Sequence, residues 1–137
     1  VNGSVNPLDE VNAYSDRIEA EVPLVDGLPS FDLIILGMGD DGHTASLFID
    51  NEKNLIKECA YTALVKHPQT GQLRVTITMP VINSGRRILF AVTGSTKASV
   101  LDSVLNDTES NYPAAKVLPL SGVLEWYLDE AAFDVKE

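Results

Sequence analysis

Residues 31–48 read FDLIILGMGDDGHTASLF, and this stretch decides the fold. Phe31 to Leu36 is a nearly continuous apolar run of strand length, the pattern of a strand buried on both faces in a parallel sheet covered by helices. It ends abruptly in Gly37-Met38-Gly39-Asp40-Asp41-Gly42, too rich in Gly and Asp for regular structure. In an open α/β sheet, ligands gather at the carboxyl ends of the strands, so the turn delivers Asp41 and His43 to that edge. Thr44 and Ser46 are placed to cap a helix that follows.

Working outward, Asp9 to Glu21 places Val11, Tyr14, Ile18 and Val22 at helical spacing, and Pro23 stops the pattern. Gly27, Pro29 and Ser30 punctuate the approach to Phe31. On the other side, Tyr61–Val65 and the alternating Arg74–Thr78 read as strands around a Pro68–Gly71 turn. Pro80 opens a short helix through Asn83. Ile88–Val92 is a further strand, ending at Thr93-Gly94. Ser95 and Thr96 then offer N-caps to a helix with apolar positions Ala98, Leu101, Val104 and Leu105. Strand, tight turn and helix make the repeating unit of an α/β fold. The tail predicts loops at Pro113, Pro119 and Gly122, a helical turn at Asp129–Phe133, and packing roles for Trp126 and Tyr127.

Composition bounds the function. The 137 residues are 45% hydrophobic and 22% charged, which suits one globular domain with a real core. Ten Lys and Arg against twenty Asp and Glu leave a net charge of -10, which repels polyphosphate backbones and excludes nucleic acid as the default ligand. No apolar run reaches membrane-spanning length. A lone Cys59 forms no internal disulfide, and His43 and His67 lack the spacing of a structural zinc site. A reducing cytoplasmic setting is expected. The chain begins at Val1 rather than Met, the opening of a fragment or processed chain.

The chemistry concentrates in the turn. Gly37, Gly39 and Gly42 permit unusual backbone angles and close approach of a ligand, so their N–H groups are candidates to hold an oxyanion. An imidazole exchanges protons near neutrality, so His43 is a candidate general base. Asp41 either orients that ring or contacts a substrate hydroxyl. Each residue also has a plain reading: a tight turn, a loop cap, a structural histidine. A dinucleotide fingerprint is disfavoured, because the third glycine and the later acidic residue are missing. Lys97, behind Gly94, Ser95 and Thr96, is placed where charge, hydroxyls and a helix N-terminus converge on an anion. Arg86 and Arg87 precede a strand and read as a solvated edge.

LGMGDDGHTASLF resembles the signature of the 6-phosphogluconolactonases. LRVTITMPVINSGRRILFAVTGSTKASVL, YPAAKVLP and LEWYLDEAA follow in the family's order. The resemblance runs from about Asp9 to the C-terminus. It implies an α/β fold with a Rossmann-like, mostly parallel sheet flanked by helices, of the glucosamine-6-phosphate isomerase/phosphogluconolactonase type. It further implies that residues 1–137 are the C-terminal portion of a single such domain. The implied activity is hydrolysis of 6-phospho-D-glucono-1,5-lactone to 6-phosphogluconate in the oxidative pentose phosphate pathway, without metal or organic cofactor. His43 and Asp41 are then catalytic; Gly37, Gly39, Gly42, Thr44, Arg74 and Lys97 bind substrate. The related isomerase/deaminase group usually reads IAFNEP after the His, where this chain has Thr44-Ala45-Ser46-Leu47-Phe48. A sugar-phosphate sensor of similar fold is the rival from another class, and no helix-turn-helix supports it.

There are departures. Ile49 replaces a customary proline, and His67-Pro68-Gln69 stands where Lys-Pro-Pro is common. The family's N-terminal Gly-Gly-Ser-Thr-Pro-like loop and Asp-Glu-Arg-like segment do not occur. Exposed apolar edges, and hence self-association or dependence on that N-terminal half, are the expected consequence.

Overall fold

A computed structural model describes residues 1–49 and 60–133; Cys59 lies outside them. The first helix, α1 (Pro7–Glu21), starts where Asn6 caps it: the Asn6 side chain accepts the Leu8 N–H, and Pro7 occupies the first turn. Strands β1 (Leu24–Val25) and β2 (Leu28–Pro29) form a small antiparallel hairpin. Asp26 (φ 52) and Gly27 (φ 81) turn it, the left-handed pair that two-residue hairpins require. Residues treated above as punctuation are therefore a hairpin.

The main sheet has the order β3-β6-β7, all parallel, from Ile34–Leu36, Arg87–Val92 and Val123–Leu128. Ile34, Ile35 and Leu36 pair with Ile88, Leu89 and Phe90, and β6 pairs in turn with β7 from Arg87↔Val123 to Val92↔Leu128. Helix α3 (Ala98–Asn106) makes the β6 to β7 crossover, a connection that parallel strands need. Between β3 and β6 the chain forms an antiparallel hairpin, β4 (Thr62–Lys66) with β5 (Leu73–Ile77), and the short helix α2 (Met79–Asn83). Helix α1 lies on this hairpin: Thr62 Oγ1 donates to the Val11 carbonyl at 2.7 Å and accepts from Ser15 Oγ at 2.7 Å. The chain closes with α4 (Glu130–Phe133). The α/β architecture agrees with the sequence expectation, while β7 was not anticipated.

One face of the main sheet is core. Ile88, Phe90 and Val92 are fully buried on it, together with Ile34 and Leu36 of β3 and Leu101 of α3. Phe90 and its register partner Trp126 stack with ring centroids 4.1 Å apart and planes 5° from parallel. The other face is open among the described residues. Ile35 is 66% exposed, and Leu33, Val123 and Tyr127 are also exposed there. This corrects the reading of Phe31–Leu36 as buried on both faces, and Tyr127, unlike Trp126, is not a core residue. Parallel sheets are normally covered on both faces, so the apolar side chains on this one mark where covering structure fits. Among the described residues, no helix is long and apolar enough to cross a membrane.

Phe90→Ala should therefore cost about 3–5 kcal/mol of stability, read from urea melts. Ile35→Ala in the same chain should stay within about 0.5 kcal/mol.

Candidate active site

The parallel pairing of β3 with β6 brings the turns after both strands to one edge of the sheet. In the first turn, the Gly39 N–H donates to the His43 carbonyl at 2.9 Å, and the Gly42 N–H donates to the Gly39 carbonyl at 3.0 Å. Asp41 Oδ1 accepts twice from His43, from the backbone N–H at 3.2 Å and from ring Nδ1 at 2.6 Å. Of the two readings of Asp41, the geometry supports orientation of the ring.

These bonds decide the tautomer. Burial pulls the Asp41 carboxyl upward, but the hydrogen bonds from the His43 ring and backbone outweigh it and hold the group below its ordinary value of 3.8. Near neutrality Asp41 is therefore a carboxylate, and its partner must be an Nδ1–H. The neutral ring then presents Nε2 as the free base. Side-chain exposures of 27% for His43 and 49% for Asp41 leave the pair accessible.

The glycines serve this pair differently. A Cβ on Gly39 would lie 2.2 Å from His43 Nδ1 and 2.7 Å from Asp41 Oδ1, so the pair sits directly over the Gly39 backbone. Gly42, at φ 74, lies under the Tyr112 ring, where a Cβ would meet ring carbons at 2.4 Å. The Ala114 N–H donates to the Gly42 carbonyl at 3.1 Å, so the 112–114 segment buttresses the turn from behind. Gly37 is exposed, with its carbonyl accepting Thr44 Oγ1 at 2.9 Å.

Three expectations need correction. The amides of Gly39 and Gly42, with that of His43, are committed inside the turn, so of the anticipated oxyanion donors Gly39 and Gly42 are not offered to a ligand. Thr44 is fully buried with its hydroxyl bonded inward, which removes that side chain from direct substrate contact. Thr44 and Ser46 cap no described helix: Leu47 N–H closes a turn onto the Thr44 carbonyl across Ala45 (φ 50), and the Ser46 N–H donates to Thr76 Oγ1 at 3.1 Å.

In the second turn, Gly94 (φ 94) precedes a 3-10 turn, Ser95–Lys97, that leads into α3. Neither Ser95 nor Thr96 caps the helix. Thr96 Oγ1 instead donates to Asp40 Oδ1 at 3.3 Å, which ties the two turns together and brings the Lys97 segment beside the Asp41–His43 turn. Lys97 is half-buried and has no ion-pair partner among the described residues. Arg74 stands one position inside the β4–β5 turn, opposite Val65, with Nε donating to Gln72 Oε1 at 3.4 Å. The His43 ring packs on Phe48 at 4.8 Å, and Phe48 packs edgewise on His67 at 4.9 Å, within that same β-turn. His67 Nδ1 accepts the N–H groups of Gln69 and Thr70. Arg86 and Arg87 pair with Asp32 and Glu125 at the opposite end of the strands, a solvated edge as anticipated. Phe48, Tyr112 and Asp40 escaped the sequence reading because nothing local marks a residue that buttresses from a distance.

Gly39→Ala should displace the His43 ring and lower any His43-dependent rate by about 100-fold or more, since a misplacement of about 1 Å is enough for that. Gly37→Ala, with nothing within 4 Å of the added methyl, should be far milder. Because Asp41 is depressed when folded, its contribution to stability is present above pH 3.8 and is lost as pH falls through the lower folded value. Melting temperatures of the parent and Asp41→Asn should therefore differ at pH 6 and converge on acidification below that value.

Residues 1–126 match the family described as glucosamine-6-phosphate isomerases/6-phosphogluconolactonase. The chain is 41% identical over 134 residues to a 6-phosphogluconolactonase of Haemophilus influenzae, covering 96% of this chain and 55% of that protein. It is 47% identical over 108 residues to the human 6-phosphogluconolactonase, covering 78% and 42%. The crystal structure of devB protein superposes with a TM-score of 0.87 at 36% identity, covering 95% of this chain and 55% of that one. The 6-phosphogluconolactonase of Trypanosoma brucei follows at 0.79 and 26% identity, covering 96% and 56%. The chain thus spans about half the length of the curated relatives it matches. With the turn, the sheet order and these likenesses in agreement, the chain belongs to the glucosamine-6-phosphate isomerase/6-phosphogluconolactonase family.

Proposed function

We propose that this chain carries the catalytic base of a cytoplasmic 6-phosphogluconolactonase and hydrolyses 6-phospho-D-glucono-1,5-lactone to 6-phosphogluconate in the oxidative pentose phosphate pathway. The observation that carries the reading is the 2.6 Å bond from His43 Nδ1 to Asp41 Oδ1, which leaves Nε2 free at the carboxyl edge of the sheet. Nε2 takes a proton from water as the oxygen attacks the lactone carbonyl carbon. The tetrahedral intermediate collapses by breaking the bond to the ring oxygen, and the imidazolium returns the proton to that oxygen. The carboxylic acid formed then ionises to solvent. Asp41 stabilises the transient imidazolium and keeps the ring in register. Lys97 answers the phosphate dianion, and Arg74 is the second cation for substrate.

The isomerase or deaminase alternative requires a further acid/base group beside His43. Of the two neighbouring carboxylates in the turn, Asp41 is committed to the ring and Asp40 accepts from Thr96. Lactone hydrolysis needs only the one base.

The proposal extends to residues 1–137 as the C-terminal portion of a single domain. The open sheet face with Leu33, Ile35, Val123 and Tyr127 is then the seat of the N-terminal portion, and self-association is its alternative cover.

Turnover of freshly generated lactone, followed by coupled oxidation of the product, tests the assignment. His43→Ala should lower kcat by about 10²–10⁴-fold relative to the parent; because the substrate also opens spontaneously, the variant supplies the baseline. Equal rates would exclude His43 as the base, and binding of 6-phosphogluconate without turnover would favour a sensor. Adding the N-terminal portion of a relative should raise the rate. Ile35→Glu should abolish that gain while leaving the circular dichroism of the chain unchanged.

A further inference from the structure

The turn that carries Lys97 is held from two sides by carboxylates outside the Asp41–His43 pair. On one side is the weak Asp40–Thr96 bond across the two turns. On the other is Asp129, the residue after β7. Both Asp129 oxygens accept the Gly94 N–H, at 3.0 and 3.1 Å, and Oδ1 also accepts the Ala132 N–H at 2.8 Å, where it caps α4. The Asp129 N–H itself donates to the Val92 carbonyl at 3.4 Å. Asp129 thereby joins the ends of β6 and β7 immediately behind the Lys97 turn.

Gly94 is where that turn takes its direction. Its φ of 94° and ψ of 143° suit glycine, and nothing lies within 4 Å of where a Cβ would be. No neighbour crowds the Cβ side of Gly94, and a glycine backbone has wide conformational freedom, so hydrogen bonds to its N–H help to fix its angles. In the short turn that follows, Lys97 N–H reaches the Gly94 carbonyl at 3.3 Å, Ala98 N–H donates to the Ser95 carbonyl, and no side chain caps the turn. The Gly94 N–H shared between the two Asp129 oxygens is a charge-assisted restraint on this backbone.

A carboxylate beside an anion-binding lysine opposes anion binding unless its charge is answered. Two backbone donors answer that of Asp129, so its presence is explained by geometry rather than by attraction of the ligand. We propose that Asp129 is a positioning residue: through the Gly94 N–H it sets the turn that aims Lys97 at the substrate phosphate. The inference rests on the proposed role of Lys97 in the lactonase reaction.

The test compares kinetics of the parent, Asp129→Asn and Asp129→Ala, each completed with the same N-terminal portion. Asparagine keeps one acceptor oxygen for Gly94, and alanine keeps none. KM for the lactone should rise about tenfold in Asp129→Ala, a change of about 1.4 kcal/mol. The rise should be smaller in Asp129→Asn, with kcat within about twofold of the parent in both, because the His43–Asp41 pair is untouched. Inhibition by inorganic phosphate should weaken in parallel with KM. An unchanged KM, or a loss confined to kcat, would overturn the positioning role while leaving the lactonase reading intact. Should the alanine variant fail to fold, the asparagine variant decides by the same split. A parent that never turns over the lactone removes the lactonase reading and this inference with it.

Discussion

Parallel pairing of β3 with β6 is the constraint on which the candidate site depends. Because Ile34–Leu36 run in register beside Ile88–Phe90, the Gly37–Gly42 turn and the Gly94–Lys97 turn emerge from the same edge. The turns that carry His43 and Lys97, more than fifty residues apart in sequence, become neighbours through this pairing, and the Asp40–Thr96 contact records how close they come. The pairing is held by the apolar face beneath it, where Phe90 and Trp126 stack as register partners.

Within the first turn, chemistry and conformation are one problem. Placing a ring nitrogen 2.6 Å from a carboxylate oxygen two residues away requires the backbone between them to fold back on itself. The absence of a side chain at Gly39 makes room for both groups, and the internal amide bonds of Gly39 and Gly42 keep the loop closed. The same bonds occupy the Gly39 and Gly42 amides, which are then not offered to an oxyanion.

The main sheet shows an asymmetry with functional meaning. Its buried face needs nothing further, whereas the face bearing Ile35, Val123 and Tyr127 carries apolar side chains with no cover among the described residues. The Arg87–Glu125 pair on that face is partly exposed in this chain, and a solvent-accessible ion pair adds little to stability. The chain spans about half the length of the relatives it matches, and it carries the Asp41–His43 pair on a sheet with one face bare among the described residues.

Local sequence determined the elements whose signal is carried by neighbouring residues. The apolar run ending at Leu36 announced a strand, the spacing of Val11, Tyr14 and Ile18 announced α1, and the Gly-Asp-His order placed Asp41 and His43 in a tight turn. The Asp26-Gly27 hairpin was equally legible in principle, since it rests on a two-residue turn signal. Strand β7 was not: Val123–Leu128 mixes Glu125 with aromatics, and only its pairing with β6 gives each residue a face. Tertiary structure alone decided that Thr44 turns inward, that Tyr112 closes over Gly42, and that Asp129 reaches Gly94 across 35 positions. The physical reason is that propensity and periodicity act over a few residues, whereas a hydrogen bond or a packed ring acts between whichever residues the sheet brings together.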